Sequence, residues 1–307
     1  MFGILEIILP ILAVLALGFL SRKKALLSSE GIEGLKGIVM NFALPCLLVG
    51  AFYTADYGAA NVIVALVMFA CCFAGLFLGR LIKKAFRMNQ DFLPFLTTGF
   101  EAGMMGYGLY LMLFPGESLA NFAMVDLGQV LFVFTFYMAV LNTKKGVGTR
   151  STLLSMLKSP IFLAVCAGVF LGATGLGKWI DASPAGETVA AVLDYIGAPT
   201  GILMIFVVGY GLRFELSGLK DALAAATARI AVMALLCLCA LFLISSLVPM
   251  TYGLYWAVVL MFILPAPFVL PVFAGSQKDT AYISTSLSVY TLISILLFAV
   301  IAATAAA

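Results

Sequence analysis

Ten runs of about twenty predominantly apolar residues follow one another along this chain, each the length of a helix that crosses a bilayer. They cover residues 2–20, 32–53, 61–82, 92–114, 119–141, 158–176, 188–211, 222–248, 254–275 and 279–303. In hydrocarbon every backbone N–H and C=O needs a partner within the protein, so each run is expected to be helical. The expected fold is therefore an all-α polytopic membrane protein of ten transmembrane helices. Composition closes the other routes. Only 10% of the 307 residues are charged and 64% are hydrophobic, whereas soluble domains carry about 25% charged residues. A solvated surface cannot be made from so few. The net charge of +3 forms no basic patch suited to nucleic acid.

The runs repeat. P-I-L-A-V-L-A-L-G-F-L from Pro10 is answered by P-I-F-L-A-V-C-A-G-V-F-L from Pro160. N-F-A-L-P-C-L-L around Pro45 is answered by Y-I-G-A-P-T-G-I-L around Pro199. Two runs further on, each half carries a stretch hostile to a straight helix: G-F-E-A-G-M-M-G-Y-G (Gly99 to Gly108) and L-P-A-P-F-V-L-P (Leu264 to Pro271). Breaks at matching positions of two membrane repeats are the sequence pattern of a secondary transporter with its site near the midplane. The polar cluster from Asn142 to Thr152 is the joint between repeats, 1–145 and 146–307.

Arg22, Lys23, Lys24, Lys36, Arg80, Lys83, Lys84, Arg87, Lys144, Lys145, Arg150, Lys158, Arg213, Lys220, Arg229 and Lys278 flank or lie in odd-numbered connections, and only Lys178 falls on an even one. The positive-inside rule then places the odd connections in the cytoplasm and both termini outside. Trp179, Tyr252, Tyr255 and Trp256 would form the opposite interfacial belt. With five spans per repeat the two copies are inverted, a topology suited to alternating access. The first run does not have the layout of a signal peptide, because its positive charges follow the apolar stretch.

The six cysteines, Cys46, Cys71, Cys72, Cys166, Cys237 and Cys239, all fall in apolar runs and are expected to pack as small hydrophobes rather than form disulfides or ligate metal. The chain has no histidine, which excludes His-dependent nucleophilic schemes and His-ligated zinc. No phosphate-binding loop is present, so ATP-driven pumping by this chain has no motif. No cofactor is expected. Expected partners are the bilayer and a small-molecule solute, with a homodimer left open.

The chemistry falls to intramembrane polar residues, which are costly in lipid. Glu101, in the glycine-interrupted stretch, could take up a proton reversibly, or coordinate Na⁺ together with unwound carbonyls; alternatively it is a structural carboxyl bonded to freed N–H groups. Gly99 and Gly103 have the spacing of close helix packing, yet four glycines in ten residues, including Gly106 and Gly108 around Tyr107, favour local unwinding. Pro265, Pro267 and Pro271 cannot sit in one continuous helix. Asp126 and Gln129 share a helix face at i and i+3, with Asp126 near the outer end and suited to capping, an inter-helix bond or an ion site. Asn41, Asp194, Ser284, Thr285, Ser286 and Ser288 are further candidates, the last four more often helix glue than ligands. No Lys or Arg is expected within the membrane to meet an anion.

The stretch L-P-I-L-A-V-L-A-L-G-F-L-S-R-K-K-A-L-L-S-S-E-G-I-E-G-L-K-G-I-V-M-N-F-A-L-P-C-L-L resembles the auxin efflux carrier family, which includes plant PIN-type carriers and bacterial permeases for malonate and related acids. D-L-G-Q at Asp126 to Gln129 is similar to that family's D-x-G-N. The resemblance implies a bile-acid-symporter-like fold. Spans 1, 2, 6 and 7 would form a scaffold, and spans 3–5 and 8–10 a mobile transport domain in which broken helices 4 and 9 cross. The chain departs from the pattern in span four, where Glu101 replaces an Asn and Gly108 a Pro of N-x-G-x-x-G-x-P. In span nine, Phe268 and Val269 occupy the region of an Asn.

The functional expectation is a secondary transporter, not an enzyme, in a bacterial inner membrane. Its solute would be a small organic acid anion, carried by elevator-type alternating access, held by half-helix N-termini and coupled to H⁺ or Na⁺ through Glu101. The alternatives are a cationic or neutral solute with Glu101 as counter-ion, or a channel or receptor-like membrane protein. A pair Asp126 and Asp194 lacks the context of an intramembrane aspartyl protease.

Overall fold

A computed structural model describes residues 2–144, 157–213 and 218–305. Most of the joint expected at Asn142 to Thr152, including Lys145 and Arg150, lies outside the described residues. Among the described residues all regular structure is helical. We number the helices α1 (Phe2–Lys23), α2 (Ser29–Tyr53), α3 (Ala59–Ala85), α4 (Leu93–Leu96), α5 (Ala102–Leu113), α6 (Leu119–Asn142), α7 (Pro160–Ala173), α8 (Leu176–Asp181), α9 (Gly186–Gly211), α10 (Leu219–Leu247), α11 (Tyr252–Ile263) and α12 (Gln277–Ala305). Six of these, α2, α3, α6, α9, α10 and α12, are long and apolar enough to cross a membrane, and α5, α7 and α11 are shorter apolar helices.

Local sequence explains where the helices bend. Pro45 in α2 lacks the amide hydrogen that the preceding turn would use, and the helix widens into a π turn over Val39–Ala43 just before it. Pro199 interrupts α9 between Gly197 and Thr200 in the same manner. By contrast α10 has no Gly or Pro in its 29 residues and runs unbroken.

Small residues set the helix pairings. The closest pairs are α1 with the second half of α9, α7 with the second half of α2, and α3 with α6, followed by α3 with α10 and α10 with α12. A Cβ on Gly209 would lie 2.1 Å from the Leu15 carbonyl oxygen, and one on Gly18 2.1 Å from that of Phe206, so α1 and α9 touch backbone to backbone. Gly128 plays the same part between α6 and α3, where its Cβ would be 2.1 Å from the Ala65 oxygen. Without a hydrophobic drive between helices in lipid, such close approach is what holds them. The core sits where α3, α5 and α6 meet, around fully buried Tyr107, Phe122, Phe132 and Tyr137. Cys71 and Cys72 are buried, the other four cysteines are at least partly exposed, and all six are free thiols.

Candidate functional site

The site is built where two interrupted helices meet. After α4 the chain leaves helical geometry at Thr97, and the hydroxyls of Thr97 and Thr98 donate to the carbonyls of Gly75 (3.4 Å) and Cys72 (2.5 Å) on α3. Gly75 and Gly79 make room for this approach, since a Cβ on either would strike Thr97 or Thr98 atoms at 3.1 Å or less. Gly99 then turns with φ +67°, a left-handed conformation that favours glycine. Opposite, α11 ends at Ile263, Leu264 is extended (ψ 152°), and the chain passes Pro265 and Pro267 before a 3₁₀ turn at Leu270–Phe273 begins with Pro271. The two breaks are tied by one backbone bond: the Glu101 N–H donates to the Pro265 carbonyl at 2.9 Å. The Pro267 ring lies against Gly99, where a Cβ would be 2.9 Å from Cγ.

The second break falls where the prolines predict it. The first is shorter than the glycine content suggests. Unwinding is confined to residues 97–101, and helix resumes at Ala102 as a π turn through Gly106 before Tyr107 continues it as α-helix. Gly103, Gly106 and Gly108 are therefore helical. They serve close packing instead: Cβ atoms there would meet Leu44 at 3.3 Å, Phe122 and Leu264 at 2.6 and 2.7 Å, and the Gly201 Cα at 2.8 Å.

Glu101 caps α5 and bridges both breaks. Its Oε1 accepts from the Met104 N–H at 3.2 Å and its Oε2 from the Phe268 N–H at 2.5 Å. The carboxylate thus serves amide ends of both interrupted helices, as the structural alternative requires, and it stays partly exposed.

Arg229 corrects the expectation that no Arg or Lys lies within the bundle. It was counted among the charges flanking a connection, but it lies nearly three helical turns inside α10 and is only 4% exposed. Its guanidinium donates to the carbonyls of Leu96 (2.9 Å), Gly99 (2.9 Å) and Leu264 (2.8 Å). These are carbonyls that the two broken helices leave unpaired. The rings of Phe100 and Tyr290 flank it at 5.8 and 5.4 Å. Sequence position alone hides this role, because Arg229 follows a polar connection; the signal available was that α10 carries no charge beyond it.

Behind the crossing lies a closed polar chain. The Tyr107 hydroxyl donates to Asp126 Oδ2 at 3.0 Å, Gln129 Nε2 donates to Asp126 Oδ1 at 3.0 Å, and Gln129 Oε1 accepts from the Phe100 N–H. Asp126 is 3% exposed and makes inter-helix bonds rather than capping a helix end. Asn41 stands apart from this cluster: it is exposed, and its amide donates to the Gly37 carbonyl at 2.7 Å.

A cavity of about 260 Å³ opens beside the crossing, bounded by Met104, Phe268 and Pro271, by Arg213 and the ion pair of Lys36 with Glu33 (3.7 Å), and by Ser284, Ser288 and Thr291 of α12. The Ser288 hydroxyl accepts from the Arg213 N–H at 2.9 Å and donates to the Ser284 carbonyl. Asp194 lines a different cavity with Cys46 and Gly50.

Residues 3–149 match the family described as membrane transport protein. Over that segment, just under half of the chain, the match is to the auxin efflux carrier family. The resemblance seen in the first repeat is thereby shown for residues 3–149, and it supports a membrane transporter. The chain is also similar to an uncharacterized transporter of Methanothermobacter thermautotrophicus, 25% identical over 232 residues, covering 73% of this chain and 72% of that relative.

Proposed function

We propose that this membrane transporter is a secondary carrier of a small organic acid anion, working by elevator-type alternating access with ten spans in two inverted repeats. The pairings of helices support the repeat. Exchanging spans 1 with 6 and 2 with 7 turns the α1–α9 pair into the α7–α2 pair, and exchanging 3 with 8 and 5 with 10 turns α3–α6 into α10–α12. The α3–α10 pair maps onto itself. The observation that carries the functional reading is the crossing of two broken helices joined by one carboxylate, beside a cavity lined by Lys36 and Arg213. Arg213, with Lys36 shared with Glu33 at 3.7 Å, supplies the positive charge that an anion needs, and the Ser284 hydroxyl of α12 supplies a donor, those of Ser288 and Thr291 being engaged on their own helix.

In this reading Glu101 carries the coupling proton. While ionised it holds the Met104 and Phe268 amides. Once protonated it binds them more weakly, leaving donors that a solute carboxylate can use. Its hold on those amides also favours a second reading, in which the solute is a cation or neutral and Glu101 is the counter-ion. Glu101→Gln separates the readings, because Gln keeps the shape but cannot take up a proton or carry charge. In proteoliposomes the variant is expected to lose pH-driven accumulation of an organic acid while retaining exchange. Loss of solute binding at every pH indicates the counter-ion role. Wild-type accumulation with unchanged pH and Na⁺ dependence refutes both.

A further inference from the structure

Arg229 is not used by the transport scheme above, yet it is the charge most deeply committed to the crossing. All three of its recorded hydrogen bonds go to carbonyls at the interruptions, two from the first break (Leu96, Gly99) and one from the second (Leu264). Three converging carbonyls, those of Leu96 and Leu264 at helix ends and that of Gly99 in the unwound segment, form the kind of oxygen cluster that otherwise draws a monovalent cation, because helix C-termini carry partial negative charge. The guanidinium fills that cluster with a planar, permanently charged group fixed to α10.

We propose that Arg229 is a tethered cation, a positioning residue that takes the place of a dissociable ion at the crossing, so that the broken helices are held together without Na⁺. The inference rests on the geometry of the crossing and is independent of what the solute is. A second feature makes it testable. Against Arg229 lies a separate cavity of about 280 Å³, lined by Tyr290, Ser294, Phe262 and Leu264. The buried Tyr290 hydroxyl has no hydrogen-bond partner. Removing the Arg229 side chain would join its volume to this cavity, giving a free cation both room and an extra oxygen ligand.

The experiment uses the purified full-length protein in detergent and follows its Tm in NaCl, choline chloride and methylguanidinium chloride at matched ionic strength. Wild type is expected to show no saturable difference between the salts. Arg229→Ala is expected to unfold roughly 10 °C lower, since three carbonyls lose a charged donor. Millimolar methylguanidinium, or Na⁺, should restore at least half of that loss in a saturable manner, which a merely space-filling arginine would not allow. Arg229→Lys, which keeps a cation, should lie between the two and remain insensitive to Na⁺; it serves as the measurement if the alanine variant cannot be recovered. Saturable Na⁺ stabilisation of wild type, an alanine variant that no cation rescues, or a lysine variant that gains Na⁺ dependence would overturn the proposal. Because the readout is stability, failure of organic acid uptake would count against the solute assignment alone.

Discussion

The tightest point of the crossing gives the sharpest test. Gly99 has φ +67°, and a Cβ there would lie 2.9 Å from Pro267 Cγ and 3.2 Å from Cδ. Gly99→Ala therefore pays twice. Left-handed backbone costs a non-glycine residue about 1–2 kcal/mol. Forcing a methyl against the ring costs about 1–3 kcal/mol more when the neighbour cannot yield. Here it yields poorly, because the proline ring is closed and its segment is pinned by Glu101 N–H on the Pro265 carbonyl and by Arg229 on that of Leu264. The sum, about 2–5 kcal/mol, corresponds to a Tm lowered by roughly 5–10 °C in a chain of this size. The assay is thermal unfolding of purified protein, with Gly116→Ala as control, since a Cβ at Gly116 meets nothing within 4 Å. The control is expected to shift Tm by no more than about 1–2 °C. A Gly99→Ala protein as stable as that control would refute the tied geometry of the two breaks.

Gln129→Leu should cost about 2–4 kcal/mol by leaving the buried Phe100 N–H unpaired and taking one donor from Asp126, whereas Tyr107→Phe should cost about 1 kcal/mol; thermal unfolding compares them, and equal effects would count against the chain of bonds described. Lys36→Gln and Arg213→Gln should each raise the KM for organic acid uptake roughly tenfold with kcat little changed, about 1.4 kcal/mol of binding, measured by initial rates in proteoliposomes. Cysteine labelling in intact cells should find positions 84 and 220 protected from an impermeant reagent and position 57 reactive; the reverse pattern would invert the proposed orientation.

Much of the scaffold could be read from the chain because hydrocarbon leaves the backbone few choices. Apolar runs became helices, while the bends at Pro45 and Pro199, residues read only as matching landmarks of the repeat, emerged with the structure. The prolines at 265, 267 and 271 marked the second break, since a missing amide hydrogen acts locally whatever surrounds it. Glycine is less informative. Gly99 unwinds the chain, but Gly103, Gly106 and Gly108 are helical and matter for what they allow to approach, and nothing within the segment itself separates the two uses. Arg229 was misplaced for a related reason. Its position counts from a connection, and only the tertiary fold shows that it turns inward to carbonyls more than a hundred residues away in sequence. Asp126 likewise gave its polarity in advance but not its partner, because Tyr107 reaches it from another helix.

The two charges at the crossing have a consequence for energetics in a polarised membrane. Glu101 answers amide hydrogens and Arg229 answers carbonyls, and they make no ion pair with each other, yet together they sum to zero. In an elevator cycle both would travel with the mobile unit. Each elementary charge moved across 100 mV is worth about 2.3 kcal/mol, so a unit carrying only one of them would be driven to one face at rest. Carrying both, and with Asp126, the buried acid behind the crossing, in its neutral form, the unladen unit would cross without electrical work. Sensitivity to membrane voltage would then enter only with what it picks up: a proton on Glu101 leaves the unit with one positive charge, and a monovalent anion beside it restores neutrality. A carrier arranged in this way would move an acid together with its proton as an electrically silent load, and the empty return would be equally silent.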